Sequence, residues 1–261
     1  HPTDALLPQM PGQTIIPVGL NAEEIDQIPA AVIEHHTDQI QPAQFVQKGV
    51  AARSISELVN PDYVVIGEAS GLNIKTGQRG RAEILLETFG KAAHSANPEK
   101  GVNAVKKMCR LISELDKLQP PVHEQLGKGI MEVTDIISSP YPGASVVPEY
   151  CRATLDRWLL TGETKESVLA PVKELIARLE KEDPQFSAKA SFSVGKEKCY
   201  TDAEIQGERF FPGWYYDPKE DYIQKILGKV REAGYDPELT QYSFCTNGSH
   251  YAGEKGIPTI G

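Results

Sequence analysis

Apolar residues recur along this chain in two rhythms, and the rhythms divide it. From Arg81 to Phe89 apolar and polar positions alternate, the period-2 mark of a half-buried strand. Asn103 to Leu118 instead spaces Ala104, Met108, Leu111, Ile112 and Leu115 at helical intervals. Ile130–Ile137 and Tyr150–Leu159 return to strand character, the second after the breaker-rich Ser139-Pro140-Tyr141-Pro142-Gly143. Thr164–Lys181 predicts an amphipathic helix with Val168, Val172, Ile176 and Leu179 on one face, and Thr161-Gly162-Glu163-Thr164 supplies its start signals. Ala188–Val194 closes the series as a strand. The order β-α-β-β-α-β predicts a ferredoxin-like, split-βαβ module over residues 79–197.

The flanks read as a second α/β unit supplied by both ends of the chain. Residues 1–60 are rich in Pro and Gln; within them Thr14–Val18 predicts a short buried strand and Ala43–Leu58 a helix. Asp62–Gly67 predicts a strand closed by a turn. Beyond the module come a helix over Lys219–Ala233 ended by Gly234, a strand over Leu239–Phe244, a turn at Cys245–Ser249, and an apolar strand start at Ile257–Gly261. The seams are expected near residues 78 and 198, with lid hinges near Gly77 and Cys199. The aromatic run Phe210–Tyr216 has two readings, a pocket wall or a plug between the units.

Composition narrows the function classes. The 261 residues are 40% hydrophobic and 24% charged, which is ordinary globular usage rather than that of a disordered chain. The net charge is −9 and no Lys/Arg block occurs, so nucleic acid is not an expected partner. No run of about eighteen apolar residues is present, so no membrane span is expected. The first residues show no signal-peptide pattern. Cys109, Cys151, Cys199 and Cys245 are scattered with no C-x-x-C pair, which fits a reducing cytoplasm better than a disulfide scaffold or a zinc ribbon. Neither a G-x-S-x-G elbow nor a P-loop occurs, which argues against a serine hydrolase and a nucleotide phosphate site.

Four ordered motifs carry candidate chemistry. Pro61-Asp62-Tyr63-Val64-Val65-Ile66-Gly67-Glu68 ends a strand in a carboxylate, where an open α/β sheet places ligands. Gly77-Gln78-Arg79-Gly80 enters the module and is followed by His94-Ser95-Ala96-Asn97-Pro98 and Gly101-Val102-Asn103-Ala104. Pro142–Pro148 precedes Leu155-Asp156-Arg157-Trp158. Cys245-Thr246-Asn247-Gly248 precedes Gly256-Ile257-Pro258-Thr259-Ile260-Gly261. Together these resemble the ArgE/DapE/carboxypeptidase-type dizinc metallohydrolases, the aminoacylase-like peptidases, with the nearest likeness to their selenium-metabolism-linked, YgeY-like branch. The likeness covers about residues 60–261.

The resemblance implies a three-layer α/β catalytic portion (1–78 and 198–261, incomplete at both ends) around an inserted ferredoxin-like dimerisation or lid domain (79–197). It implies a cytoplasmic homodimer, paired through the inserted domain, that hydrolyses amide bonds of small N-acyl amino acids or peptides with two zinc ions as cofactors. Glu68 would be a metal ligand. His94 would reach a partner subunit's site and donate to the carbonyl oxygen of the scissile amide, where negative charge develops. Thr246 and Asn247 would line the substrate cleft; the other reading of this turn is structural. Arg157 would clamp a substrate carboxylate, a task suited to a guanidinium, or stand as a surface or interface charge. Two departures bear on this: Ser145 stands where the family has Asn, and Trp158 falls on the family's Arg position.

Several of the family's parts are not in view. Its site needs an H-x-D motif, a bridging Asp, a Glu-Glu pair and a late His. His36-Thr37-Asp38 fits H-x-D by letters but stands too close to Glu68 in the sequence and reads as chance. Glu23-Glu24 follows an apolar run and Gly19, so Glu23 is the candidate general base and Glu24 a candidate ligand; the plainer reading is an exposed acid pair. A zinc site needs about four ligands per ion, so this chain by itself is expected to hold metal poorly. The alternative function is a non-catalytic, dimerising, ligand-binding remnant of the family.

Overall fold

The computed structural model describes residues 61–198 and 204–261, together with Ala52, Arg53, Ser56 and Val59. The readings for Thr14–Val18, Glu23, Glu24, His36-Thr37-Asp38, most of Ala43–Leu58, and Cys199 lie outside the described residues.

Three ten-residue strands, β3 (Gly80–Phe89), β7 (Ile130–Ser139) and β9 (Tyr150–Leu159), and the five-residue β10 (Ala188–Phe192) form the main path of the larger, five-stranded sheet. Their order is β10-β3-β9-β7, with every pair antiparallel. This is the arrangement the β-α-β-β-α-β rhythm predicts. β3 and β9 run in unbroken register from Gly80↔Leu159 to Phe89↔Tyr150. On β3 alternate residues are buried, so Ala82, Ile84, Leu86 and Thr88 face one way. Two helices cover that face, α1 (Ala104–Leu115) and α2 (Lys165–Glu182). Met108, Leu111 and Leu115 of α1 and Val172 and Leu179 of α2 are almost wholly buried against it. Full burial of each such side chain is worth about 1.5–3 kcal/mol.

Both helices are capped by their own sequence. The Asn103 side chain accepts from Lys106 N at 3.1 Å. Thr164 and Ser167 form a reciprocal capping box. Strand β7 lies at the sheet edge, carries a bulge between Val133 and Asp135, and exposes Ile130, Ile136 and Ile137.

The flanking unit is made of much shorter pieces. β2 (Ile74–Gln78) pairs antiparallel with β14 (Trp214–Tyr215) and parallel with β15 (Leu239–Tyr242). β1 (Val64–Val65) pairs parallel with β16 (Thr259–Ile260), and Gly261 exchanges both backbone bonds with Lys75, at 2.6 and 2.9 Å. Helix α3 (Asp221–Glu232) presses Ile223 and Leu227 onto Ile74 and Ile260. The expected strand over Asp62–Gly67 is thus only Val64–Val65.

The backbone crosses between the two sheets twice. Arg79 alone joins β2 to β3. On the return, β13 (Phe210–Phe211) still pairs with β3 and β14 already pairs with β2, so the crossing falls at Pro212-Gly213. It is later than the seam expected near 198 because the chain after β10 makes a hairpin, β11 (Val194–Lys198) with β12 (Glu204–Glu208), and returns to β3. The crossings touch: a Cβ on Gly80 would lie 2.3 Å from Gly213 N, so glycine permits the contact. Phe210, Phe211 and Trp214 are buried at this junction, which favours the plug reading of the aromatic run.

Candidate functional site

Glu68 follows β1, three residues beyond its end, and is half-buried. β1 and β16 are parallel, so the carboxylate leaves from the rim where an open α/β sheet carries its ligands. Its backbone is held from beneath by Tyr242, whose hydroxyl donates to Glu68 O at 3.4 Å. Tyr242 is 2% exposed. Burial, with the Glu68 charge beside it, pushes its phenol far above the ordinary tyrosine range, so it stays a neutral donor.

His94 lies on the inserted unit, exposed, in a two-strand ribbon of β4 (Ala93–His94) and β8 (Val146–Val147). Its Nδ1 accepts from Ala96 N at 3.1 Å. In the neutral ring that bond assigns the proton to Nε2, leaving an N–H donor for another group. The same ribbon holds Ser145, whose carbonyl accepts from Ser95 N at 2.9 Å. Ser145 has φ +56°, a left-handed conformation that Asn, the family's residue here, adopts more readily.

Arg157 faces the helix-covered side of its sheet and is 5% exposed. Its Nη1 donates to Ile130 O at 2.9 Å and Trp158 O at 3.1 Å, and its Nη2 pairs with Glu163 at 2.5 Å. Glu163 also accepts from Leu160 N at 2.7 Å. This geometry ties the end of β9 to the turn before α2.

Thr246 is buried and organised by Gln78, which the sequence shows only as part of the entry to the module and not as a site residue. Gln78, the last residue of β2, is wholly buried. Its Oε1 accepts from Thr246 Oγ1 at 2.5 Å and Thr246 N at 3.2 Å. Its Nε2 donates to Ser249 Oγ at 2.8 Å. Thr246 Oγ1 in turn accepts from Gly248 N at 3.0 Å. Trp214 packs so closely that a Cβ on Gly248 would meet Nε1 at 2.6 Å. Within this braced turn Asn247 is half-buried, and its Oδ1 is buried with no hydrogen-bond partner among the described residues. The expected turn continues into a π-helical segment, Ser249–Glu254.

That segment holds a second polar chain. His250 Nε2 lies 2.6 Å from Ser56 Oγ, and Nδ1 lies 2.7 Å from Glu254 Oε2. Glu254 is also ion-paired with Arg53. Burial raises the Glu254 pKa, but the hydrogen bonds from Arg53 and His250 outweigh it, and the net direction is down. The Ser-His-Glu order has the shape of a nucleophile with its base. Ser56 and His250 are each 5% exposed, however, and the Ser56 hydroxyl also bonds Arg53 O at 2.9 Å. We read it as a bolt that fixes Arg53 and Ser56 to the flanking unit. The i, i+4 spacing of His250 and Glu254 was the signal available in the sequence.

Among the described residues no three His, Cys, Asp or Glu gather as a metal centre. Glu68 is one candidate ligand and does not by itself fit a bound ion. No described helix is long and apolar enough to cross a membrane.

Comparisons with known proteins agree with this geometry. A family profile described as "Peptidase dimerisation domain" matches residues 76–184. The uncharacterized protein YgeY of Escherichia coli (strain K12) is 32% identical over 207 residues, covering 78% of this chain and 50% of that protein. The chain therefore spans about half the length of the curated relatives it matches. Among solved structures, aminopeptidase PepT from Bacillus cereus superposes with TM-score 0.61 at 18% identity, over 82% of this chain and 52% of that one. The M20 family metallo-carboxypeptidase Sso-CP2 from Sulfolobus solfataricus gives TM-score 0.58 at 12% identity, over 83% and 59%. These two likenesses concern the fold alone. With the inserted sheet, the dimerisation profile and the YgeY likeness in agreement, the chain belongs to the M20 peptidase family, on its YgeY-like branch.

Proposed function

We propose that the protein this chain represents is a metal-dependent hydrolase of amide (C–N, non-ester) bonds in small N-acyl amino acids or peptide-like substrates. His94 is the observation that carries this reading. It is an exposed imidazole, on the unit matched by a dimerisation profile, with Nδ1 occupied and Nε2–H free to donate. In this reading His94 crosses to the partner's cleft and stabilises the amide oxygen as charge develops on it. Glu68 contributes a ligand toward the family's zinc ions, with Glu23 and Glu24 as further candidates for base and ligand. The described residues do not by themselves complete a metal centre. Thr246, held by Gln78, shapes the turn, and Asn247 beside it is the candidate substrate-facing residue, its Oδ1 buried and without a hydrogen-bond partner among the described residues. Arg157 enters as a brace rather than a clamp, because its guanidinium is already spent inside the fold.

Dimerisation follows from the same unit. β7 is a ten-residue edge strand with exposed isoleucines, and such an edge invites strand pairing. A second copy of the chain is the proposed partner, and the inserted unit, from Arg79 to the crossing at Pro212, is the proposed dimer domain. The non-catalytic, dimerising reading differs only in lacking turnover.

The test is subunit complementation with the full-length protein and a panel of N-acetyl amino acids. His94→Ala should lower kcat by about 10²–10³-fold with little change in KM. Glu68→Ala should be inactive and hold less metal by elemental analysis. Mixing the two variants should restore activity, since a mixed dimer then has one site with Glu68 and the partner's His94 intact. Mixtures as inactive as their parents would sink the convergence of the two groups. A wild-type protein that binds no metal and turns over no amide would leave the remnant reading.

A further inference from the structure

The hairpin between α1 and β7 belongs to the inserted unit by sequence, yet it reaches both places where the backbone crosses to the flanking unit. It is formed by β5 (Val122–His123) and β6 (Gly127–Lys128) and is closed at its base by Gly129 N donating to Pro121 O at 2.9 Å. Leu126 at its tip is buried. Arg79, the whole of the first crossing, donates from Nε to Leu126 O at 3.0 Å. Tyr215, two residues past the second crossing, receives the His123 ring edge-on at 5.3 Å between centroids.

His123 also shapes the tip. Its Nδ1 accepts two backbone N–H groups at once, from Gln125 at 3.1 Å and Leu126 at 3.2 Å. That is possible only while Nδ1 bears a lone pair. We propose that residues 121–129 are a strap that holds the inserted unit against the flanking unit, and that protonation of His123 releases it. An imidazolium has a proton on Nδ1, so both N–H bonds must break and the Leu126 carbonyl turns away from Arg79.

Titratable or charged groups belong to the elements that meet at the strap. Arg79, from the seam, places a fixed cation in the same hairpin: its Nη2 would lie 3.1 Å from a Cβ on Gly127. Glu124 is the carboxylate of the hairpin itself. Tyr215, from β14, remains a neutral phenol, because burial and the carboxylates of Asp217 and Glu124 push its pKa up. Histidine is the side chain type that ordinarily changes charge between about pH 5 and 8. Once the strap is free, the two backbone crossings still join the units, and the inserted unit can turn on them.

Amide exchange over residues 121–129, corrected for intrinsic rates, tests this on the full chain at about pH 8 and about pH 5. In the wild type, protection of the Gln125 and Leu126 amides should fall at least about tenfold at the lower pH. His123→Asn keeps a side-chain acceptor for the same N–H groups but does not titrate, so its protection should hold at both values. His123→Phe keeps the ring against Tyr215 without the acceptor and should be unprotected at both. Small-angle scattering should broaden at low pH for the wild type and not for His123→Asn. Equal wild-type protection at both pH values overturns the proposal, as does a His123→Asn that is equally pH-sensitive. A hairpin that opens while the scattering stays fixed overturns the strap. None of these readouts needs turnover, so the outcome is separate from that of the hydrolase reading.

Discussion

The two units of this chain are held together by different physics. The inserted unit has three ten-residue strands, two of them paired in unbroken register, and a core of apolar side chains from its sheet and two helices. The flanking unit has strands of two to five residues and an apolar core of Ile74, Ile223, Leu227 and Ile260. What replaces packing there is side-chain hydrogen bonding across long sequence distances. Gln78 holds Thr246, Ser56 holds His250, and the hydroxyls of Tyr216 and Tyr242 reach the carbonyls of Ile257 and Glu68. Apolar burial is forgiving of detail. A polar brace fails when one atom is removed, because its buried partners are left without bonds.

The comparison breaks first in the apolar core. Leu155 is 1% exposed between β3 and β7, and Leu155→Ala should cost about 4 kcal/mol in denaturant unfolding. The loss should be global. A result under about 1 kcal/mol would mean that the packing of this sheet does not limit stability.

Next in size is the charged exception inside that unit. Arg157→Ala leaves Glu163 buried without its partner and should cost about 3 kcal/mol. Arg157→Lys cannot reproduce the fork to Ile130 O, Trp158 O and Glu163, and should recover only part of it. If Arg157 acts instead as a substrate clamp, both variants would keep wild-type stability and raise KM.

In the flanking unit the matching test is Gln78→Leu. It removes the acceptor of Thr246 and the donor to Ser249 while keeping an apolar side chain of similar size. The expected cost is about 2 kcal/mol. Exchange should rise at Thr246 and Gly248 with the β3–β9 ladder unchanged. Loss of protection throughout the inserted sheet would show that the two units fold as one.

These contrasts explain what the sequence reveals. The strand at Tyr150–Leu159 agrees end for end with the reading, and the two inserted helices agree within a few residues at their ends. Periodicity reports burial of one face, and here that burial is what builds the elements. Glu68, His94 and the Thr246 turn are legible as motifs, but their bonding is not. Gln78 gives no local sign of its role, since its partners lie 168 and 171 residues away. The second crossing is missed for a similar reason. Ala188–Val194 reads as one strand, whereas Ser193 N bonds Glu83 O and Arg209 N bonds Ser193 O, turning the chain into the β11–β12 hairpin.

The pH dependence of the polar bolt sharpens the comparison further. The Glu254 pKa is depressed in the folded state, so its contribution is complete above the unfolded value of about 4.3 and is lost as pH falls through the folded value. Unfolding followed from pH 7 down to about 3 should show a decline that Glu254→Gln flattens, with about 1 kcal/mol already missing at pH 7. The decline should appear in probes of the flanking unit. An unchanged slope in Glu254→Gln would assign acid sensitivity to other carboxylates.

The smallest effects lie at the helix ends, where the units differ in the same way. Helix α2 starts from the Thr164–Ser167 box, whereas α3 starts at Glu220 with no side-chain hydrogen bond to its first turn. Thr164→Ala should therefore cost about 1 kcal/mol. Glu220→Ser should do the reverse and gain a few tenths, since a serine hydroxyl at that extended position can accept from the free N–H groups of the first turn. Both positions are exposed, so the signs of the two changes isolate local encoding from tertiary support. If Glu220→Ser destabilises, the carboxylate already stabilises the helix dipole in the place of a cap, and the first turn of α3 is better encoded than its hydrogen bonds suggest.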